Sequence, residues 1–278
     1  GAGSGFGREF ARLGASLGMR LVLADVQADA LAAVVDELRE RGVEVIGERV
    51  DVSKGDQVER LAQRTKEAFG KVHLLFNNAG VAAGWLIWES TEKDWQWTLG
   101  VNLWGVIHGV RCFVPMMLEQ GDECHVVNTA SVAGLLSTQL MGVYNVSKHG
   151  VVTLTETLYH DLRLANANIG VTLLCPAFVP TGIHASERNR PPELAPDSEP
   201  TPSMVASQKA TEKATSSGKI GAEGVAKMTF DAIRENRFYV VTHPKILASV
   251  ELRLQDVVAQ RNPSDPFTFK KDVAVKPS

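Results

Sequence analysis

Cysteine is scarce: 278 residues hold three, Cys112, Cys124 and Cys175, widely spaced and odd in number. That argues against a disulfide frame and points to reduced thiols in a cytoplasmic protein, each a small core residue rather than a nucleophile. A basic surplus is lacking as well. With 29 Lys and Arg against 32 Asp and Glu, no positive field invites nucleic acid. No uninterrupted apolar run is long enough to span a bilayer and no signal peptide is seen, so no membrane partner is expected. The seven histidines form no HExxH or other close ligand pattern, so no metal site is expected. One more absence concerns order. The chain opens directly on Gly1-Ala2-Gly3-Ser4-Gly5-Phe6-Gly7, a turn of the kind that follows a buried strand. The expectation is an N-terminally shortened chain that lacks its first strand.

What is present alternates. Strand-length apolar segments at 21–24, 43–50, 73–76, 126–127, 171–174 and 238–241 are separated by amphipathic helical stretches. The helices are expected at 28–41, 54–69, 91–119, 141–165 and 222–236. In the first, Leu31, Val34, Val35 and Leu38 share one face. Such alternation predicts an α/β fold of the Rossmann type, a doubly wound parallel sheet in three α/β/α layers. Ligands bind such sheets at the carboxyl ends of the strands. We expect a single domain over 1–261. Within it, 182–221 carries Pro191, Pro192, Pro196, Pro200 and Pro202 and reads as a substrate-binding lid or a disordered loop. A surface-bound or mobile tail follows at 262–278.

The chemistry begins with Gly1, Gly5 and Gly7, which precede a helix through Phe10, Leu13 and Leu17. Glycine lets backbone approach a pyrophosphate, and a helix N-terminus supplies N–H groups and a positive dipole end. A simple tight turn is an equal reading. Asp25 stands just after the second expected strand, where a carboxylate can accept hydrogen bonds from ribose hydroxyls and repel a 2′-phosphate. No Lys or Arg stands at Ser4 or Val26 to favour a phosphate. Asp25 could instead cap the next helix, although Asp29 is as good a cap. Asp51-Val52 could meet an adenine edge or cap the helix from Lys54. Asn77-Asn78-Ala79-Gly80 could pass close to a cofactor or form a plain polar loop. Of the three tyrosines, only Tyr144 has a lysine four residues on, Lys148. On a helix the two share a face, and an ammonium beside a phenol stabilises the phenolate, making it an acid/base near neutral pH. Ser131 could hydrogen-bond the reacting oxygen or merely form a turn before Gly134.

In this order and at these distances, the glycines, Asp25, Asn77 to Gly80, Ser131 and the Tyr144–Lys148 pair resemble the short-chain dehydrogenase/reductase family. The resemblance runs from Gly1 to about Thr181, and more weakly to Val241. It implies that Tyr144 is the general acid/base, that Lys148 lowers its pKa and binds the nicotinamide ribose, and that Ser131 polarises the substrate oxygen. It implies that Asn102 holds a water in a proton relay. It places Gly1, Ser4, Gly5, Phe6, Gly7, Asp25, Asp51, Val52, Asn78, Ala79, Gly80, Pro176, Val179 and Thr181 around the dinucleotide, together with Tyr144 and Lys148. Ala177 stands where the family usually has glycine. The implied cofactor is NAD in preference to NADP, and the implied reaction interconverts a secondary alcohol and a ketone. The rival readings are an NADPH-dependent carbonyl reductase, a non-catalytic NAD sensor and an inactive fragment. The family often forms homodimers or homotetramers. Trp85, Leu86, Ile87, Trp88, Leu135, Leu136 and Met141 are candidate walls for an apolar small-molecule substrate.

Overall fold

The computed structural model describes residues 1–268; the end of the expected tail, 269–278, lies outside the described residues. Strands β1 (Leu21–Asp25) and β2 (Val45–Arg49) pair in parallel. Strands β3 (Leu74–Asn77), β4 (Cys124–Thr129), β5 (Ile169–Cys175) and β6 (Tyr239–Val241) form a second parallel section in that order. Helices α1 (Gly5–Ser16) and α2 (Ala28–Glu40) flank β1, and α3 (Gly55–Phe69) leads to β3. Between β3 and β4 run α4 (Glu92–Leu99), a π-helical turn (Gly100–Trp104) and α5 (Gly105–Gln120). Next come α6 (Gly142–Leu164), α7 (Pro202–Ser216), α8 (Ala222–Arg234) and α9 (Leu247–Val258). This is the expected Rossmann-type layering.

Helices cover both faces, so the central strands are apolar on both sides. All six residues of β4 are buried. On the α1/α8 face, Phe76 of β3 lies 4.6 Å from Phe10 and 5.7 Å from Phe230, ring to ring. Each such pair is worth about 0.5–1.5 kcal/mol beyond its buried area. On the other face Val58, Phe113, Met117 and Leu158 pack against β3, β4 and β5. His125 of β4 pairs with the Thr172 hydroxyl at 2.8 Å, and burial pushes its imidazole pKa down to about 4. It is a neutral core residue there.

Although the expected strand before it is not in the chain, the glycine turn is anchored to both β1 and the loop after β3. The Ala2 N–H donates to the Ala24 carbonyl at 3.0 Å, and the Asn78 amide donates to the Gly1 carbonyl at 3.2 Å. The turn therefore ties the carboxyl end of β1 to that of β3. Gly7 makes this possible, because a Cβ there would collide with the Gly1 carbonyl oxygen. Gly5 has φ +52°, a conformation that costs glycine little.

Three elements differ from expectation. The single helix over 91–119 is interrupted by one π turn, a device that inserts an extra residue and re-aims the side chains. The whole stretch Glu92–Gln120 is long and apolar enough to cross a membrane by length and composition; here it packs against α3, α6 and β3. The proline-rich 182–221 is mostly helical: a 3₁₀ segment (Gly182–Asn189), a short turn (Pro192–Leu194) and α7. Pro192 and Pro202 start these helices, where the missing N–H is no loss. Helix α9, after β6, has no counterpart among the expected elements.

Candidate active site and dinucleotide cleft

A cleft of about 1070 Å³ runs along the carboxyl ends of the strands. At one end stands Asp25, the last residue of β1. Its Oδ2 accepts from the Gly3 N–H at 2.8 Å and its Oδ1 from the Gln27 N–H at 2.9 Å. The carboxylate thus braces the glycine turn against the exit of β1. The residue is 7% exposed and lines the cleft, while Asp29 occupies the first turn of α2. Asp51 accepts from the Ser53 N–H at 3.0 Å and hydroxyl at 2.7 Å, shaping the turn before α3. It and Val52 also line the cleft, and α3 has Lys54 at its N-cap with no side-chain cap, so Asp51 shapes the approach to the helix rather than capping it. Sequence reasoning missed Arg49. It pairs in register with Asp25 and its Nε donates to the Val26 carbonyl at 3.2 Å, which sets a cation beside this end. The only sequence signal would have been strand register.

In the middle, Ser4, Gly5 and Phe6 open α1 toward the cleft. The first turn of α1 holds no acidic residue and Ser4 makes no side-chain cap, so the N-terminal N–H groups stay available for an anion. Thr181 lies close: a Cβ on Gly5 would be 3.5 Å from its side chain. Pro176 and Val179 line the same stretch, and Val179 is buried.

At the far end, α6 sets Tyr144 and Lys148 one turn apart, both buried and both facing the cleft. The Lys148 Nζ lies 5.7 Å from the Tyr144 ring centroid and donates to the Thr129 carbonyl at 3.0 Å. Ser131, just past β4, donates to the Pro176 carbonyl at 3.3 Å and accepts from the Ala133 N–H at 3.1 Å. Gly134 lets α6 approach this strand end, since a Cβ there would sit 2.6 Å from the Lys148 carbonyl oxygen. Asn102, in the π turn, accepts from the Val81 N–H at 2.8 Å. It donates to the Val81 carbonyl at 3.0 Å and to the Ser147 hydroxyl at 3.1 Å. It therefore joins the loop after β3 to α6. Gly80 is the cradle between them, for a Cβ there would lie 3.4 Å from Asn102 Oδ1 and 3.5 Å from Lys148 Nζ. Asn78 and Ala79 border the cleft beside it. Under the site, Asn77 donates to Asn128 at 2.8 Å and Asn128 to Thr155 at 3.1 Å, a buried chain across β3, β4 and α6. Sequence reading missed Asn128, whose role depends on pairing over distant positions.

Electrostatics depart from the sequence expectation. Burial pushes the Tyr144 phenol up to about 12, with the Ser131 hydroxyl pulling the other way. Burial also pulls the Lys148 ammonium down to about 8. Desolvation disfavours both charged forms, and here it outweighs the expected effect of a lysine one turn away. The amine spends its hydrogen bond on Thr129. The proposed apolar walls divide. Leu136 and Met141 line the cleft. Trp85 is buried in the core, its indole donating to Ser90 at 2.6 Å, and Trp88 is 77% exposed. Leu86, Ile87 and Leu135 are not among the lining residues. Among the described residues no group of three or more His, Cys, Asp or Glu could hold a metal ion.

A short-chain dehydrogenase family model matches residues 1–192. The chain belongs to the short-chain dehydrogenase family. A crystal structure of a family member from Burkholderia phymatum, in complex with NAD, is 62% identical and superposes with a TM-score of 0.95, over 96% of this chain and 95% of that one. The "CLA biosynthesis dehydrogenase/reductase" of Lactiplantibacillus plantarum is 32% identical over 266 residues, 95% of this chain and 93% of the relative. A "C alpha-dehydrogenase" from Sphingobium is 30% identical over 270 residues, 95% and 86% of the two. This short-chain dehydrogenase is thus an NAD(P)-binding oxidoreductase. The cradle fits a dinucleotide: Gly1, Gly5 and Gly80 border the cleft, and the uncapped N-terminal N–H groups of α1 open toward its middle.

Proposed function

We propose that this short-chain dehydrogenase interconverts a secondary alcohol and a ketone with NAD, Tyr144 holding and moving the proton. The observation that carries this reading is that Ser131, Tyr144 and Lys148 line the cleft that also holds the glycine turn, with Asn102 buried behind them across Gly80 from Lys148. The dinucleotide, when bound, supplies the hydride acceptor or donor. Ser131 orients the substrate oxygen toward the phenol. At neutral pH the phenol is protonated, which suits it to give a proton to a forming alkoxide in ketone reduction. In the oxidative direction it takes the proton and gains from rising pH. Lys148 holds a positive charge beside the phenol below about pH 8 and is placed for ribose hydroxyls. Asn102 is fixed by its bonds to the loop after β3 and to α6, and it can position a water for proton exchange with solvent. Leu136 and Met141 give the substrate region an apolar wall, so an apolar alcohol or ketone fits. By resemblance to the family, the working form is a homodimer or homotetramer.

Asp25 supports NAD, as does the NAD complex of the Burkholderia relative. Arg49 favours a second reading, an NADPH-dependent carbonyl reductase, because its guanidinium stands beside Val26 where a 2′-phosphate would approach. The test is turnover on a panel of secondary alcohols and ketones with all four cofactor forms. The proposal expects kcat/KM with NAD(H) at least about tenfold above NADP(H), roughly 1.4 kcal/mol of discrimination. The reverse ratio establishes the second reading, and binding without turnover across the panel favours a sensor.

A further inference from the structure

The segment after Thr181 crosses the cleft from one end to the other, and its anchors fix where each residue lies. Ser186 accepts from the Ala82 N–H at 3.0 Å, beside the Gly80 cradle. Seven residues on, Glu193 pairs with Lys54 at 4.0 Å, near Asp51 and the adenosine end. The stretch carrying Arg188 and Arg190 therefore lies between these anchors; Arg188 lines the cleft, while Arg190 turns away from it into the protein. The Arg190 side chain is 3% exposed. It donates to Asp94 of α4 at 2.6 Å and to the Leu194 carbonyl at 2.6 Å, and its guanidinium lies 5.1 Å from the Trp97 ring centroid. Asp94 is buried too, and its other oxygen accepts from the Thr91 N–H at 2.9 Å and hydroxyl at 2.7 Å. One carboxylate thus caps α4 and holds the crossing segment down.

Arg188 faces the other way. Its Nη1 donates to the carbonyls of Gly182 at 3.0 Å and Ala185 at 2.6 Å, and its Nη2 would lie 3.4 Å from a Cβ on Gly182. Gly182 follows Thr181, which touches the Gly5 end of α1. Arg188 lines the main cleft together with Ser4 and Gly5, and also the adjoining cavity of about 510 Å³ beside Val26. No carboxylate among the described residues pairs with it; Glu187 turns to Arg190 instead. A guanidinium with its Nη1 fixed by two carbonyls and its remaining N–H groups open is a preformed fork for a phosphate.

We propose that Arg188 binds the diphosphate of the dinucleotide from the side opposite α1, and that the Arg190–Asp94 pair is the positioning device that holds it there. The diphosphate is then clamped between helix N–H groups below and a guanidinium above, so the crossing segment closes on the cofactor through charge. The clamp rests on the dinucleotide assignment of the cleft and adds a residue to it.

The test is equilibrium binding of NADH, of NADPH and of ADP-ribose, the last of which keeps the diphosphate and lacks both nicotinamide and 2′-phosphate. In low salt, Arg188→Gln is expected to raise Kd for NADH and ADP-ribose by about tenfold, as the loss of a charged hydrogen bond does, and Arg188→Lys by less. The gap should narrow in high salt, because the contact is solvent-exposed. Arg190→Lys keeps a charge beside Asp94 but loses the fork. It should weaken NADH binding severalfold alone and less than twofold on top of Arg188→Gln, the signature of acting through Arg188. If wild type binds NADH and ADP-ribose and Arg188→Gln matches it within twofold, the clamp is overturned. Weakening confined to NADPH also overturns it, placing Arg188 at a 2′-phosphate. If wild type binds none of the three, the dinucleotide assignment falls and the clamp with it.

Discussion

The catalytic end and the segment that crosses it are built by different means. Ser131 sits at a strand end, Tyr144 and Lys148 on a long helix, and Asn102 in a π turn tied to two elements. Their positions follow from the packing of the whole sheet, through β4 buried along its length and the Asn77–Asn128–Thr155 chain beneath. The segment over 182–216 has no sheet partner. It is held by discrete polar anchors: Ser186 on Ala82, Arg190 on Asp94, and Thr201 and Ser203 on Glu89. The groups proposed to do chemistry are placed by many contacts at once, while the cover hangs on a few, each of which can be removed singly.

Breaking the catalytic end should have the larger effect on rate. Lys148→Met is expected to lower ketone reduction by a factor of about 10²–10⁴. It should also remove a limb of the pH profile. Because burial brings the Lys148 pKa down to about 8, wild-type reduction holds below that pH and falls above it as the ammonium is lost. A pH series on both proteins checks this. Breaking the buried anchor of the cover should show in stability. Arg190→Met leaves Asp94 buried and unpaired, a loss of about 3–5 kcal/mol, read as a fall in Tm or denaturant midpoint. The smallest effect is expected at Glu89→Gln, which weakens the hold on Thr201 and Ser203. There substrate KM should rise about twofold to fivefold with kcat unchanged, the pattern of lost uniform binding. A drop in kcat at Glu89→Gln matching that of Lys148→Met would erase the distinction between the two regions.

The same division marks what the sequence makes legible. Strand–helix alternation and the Tyr144–Lys148 spacing are local periodicities, and both the sheet and the shared helix face follow from them. Asp25 could be located because it ends a readable strand. Arg49, Asn128 and Arg190 could not, because each acquires its role from a partner set by tertiary pairing; Arg190 and Asp94 are 96 positions apart. The prolines of 182–221 mislead because proline is equally at home in a loop and in the first turn of a helix. Trp85 and Trp88 look alike in sequence, yet one is core and the other exposed. The phenol's acidity departs from the sequence expectation for a related reason: a neighbour four residues away can be read, but the depth of burial cannot.

The central claim is that one phenol carries the proton in a cleft that binds the dinucleotide without it. The direct measurement is Tyr144→Phe, with NADH titration and steady-state reduction of the best ketone made on the same preparation. The account predicts a Kd for NADH within about twofold of wild type and a loss of kcat of at least about 10³. A variant that binds NADH normally and keeps more than a tenth of the wild-type rate would contradict it.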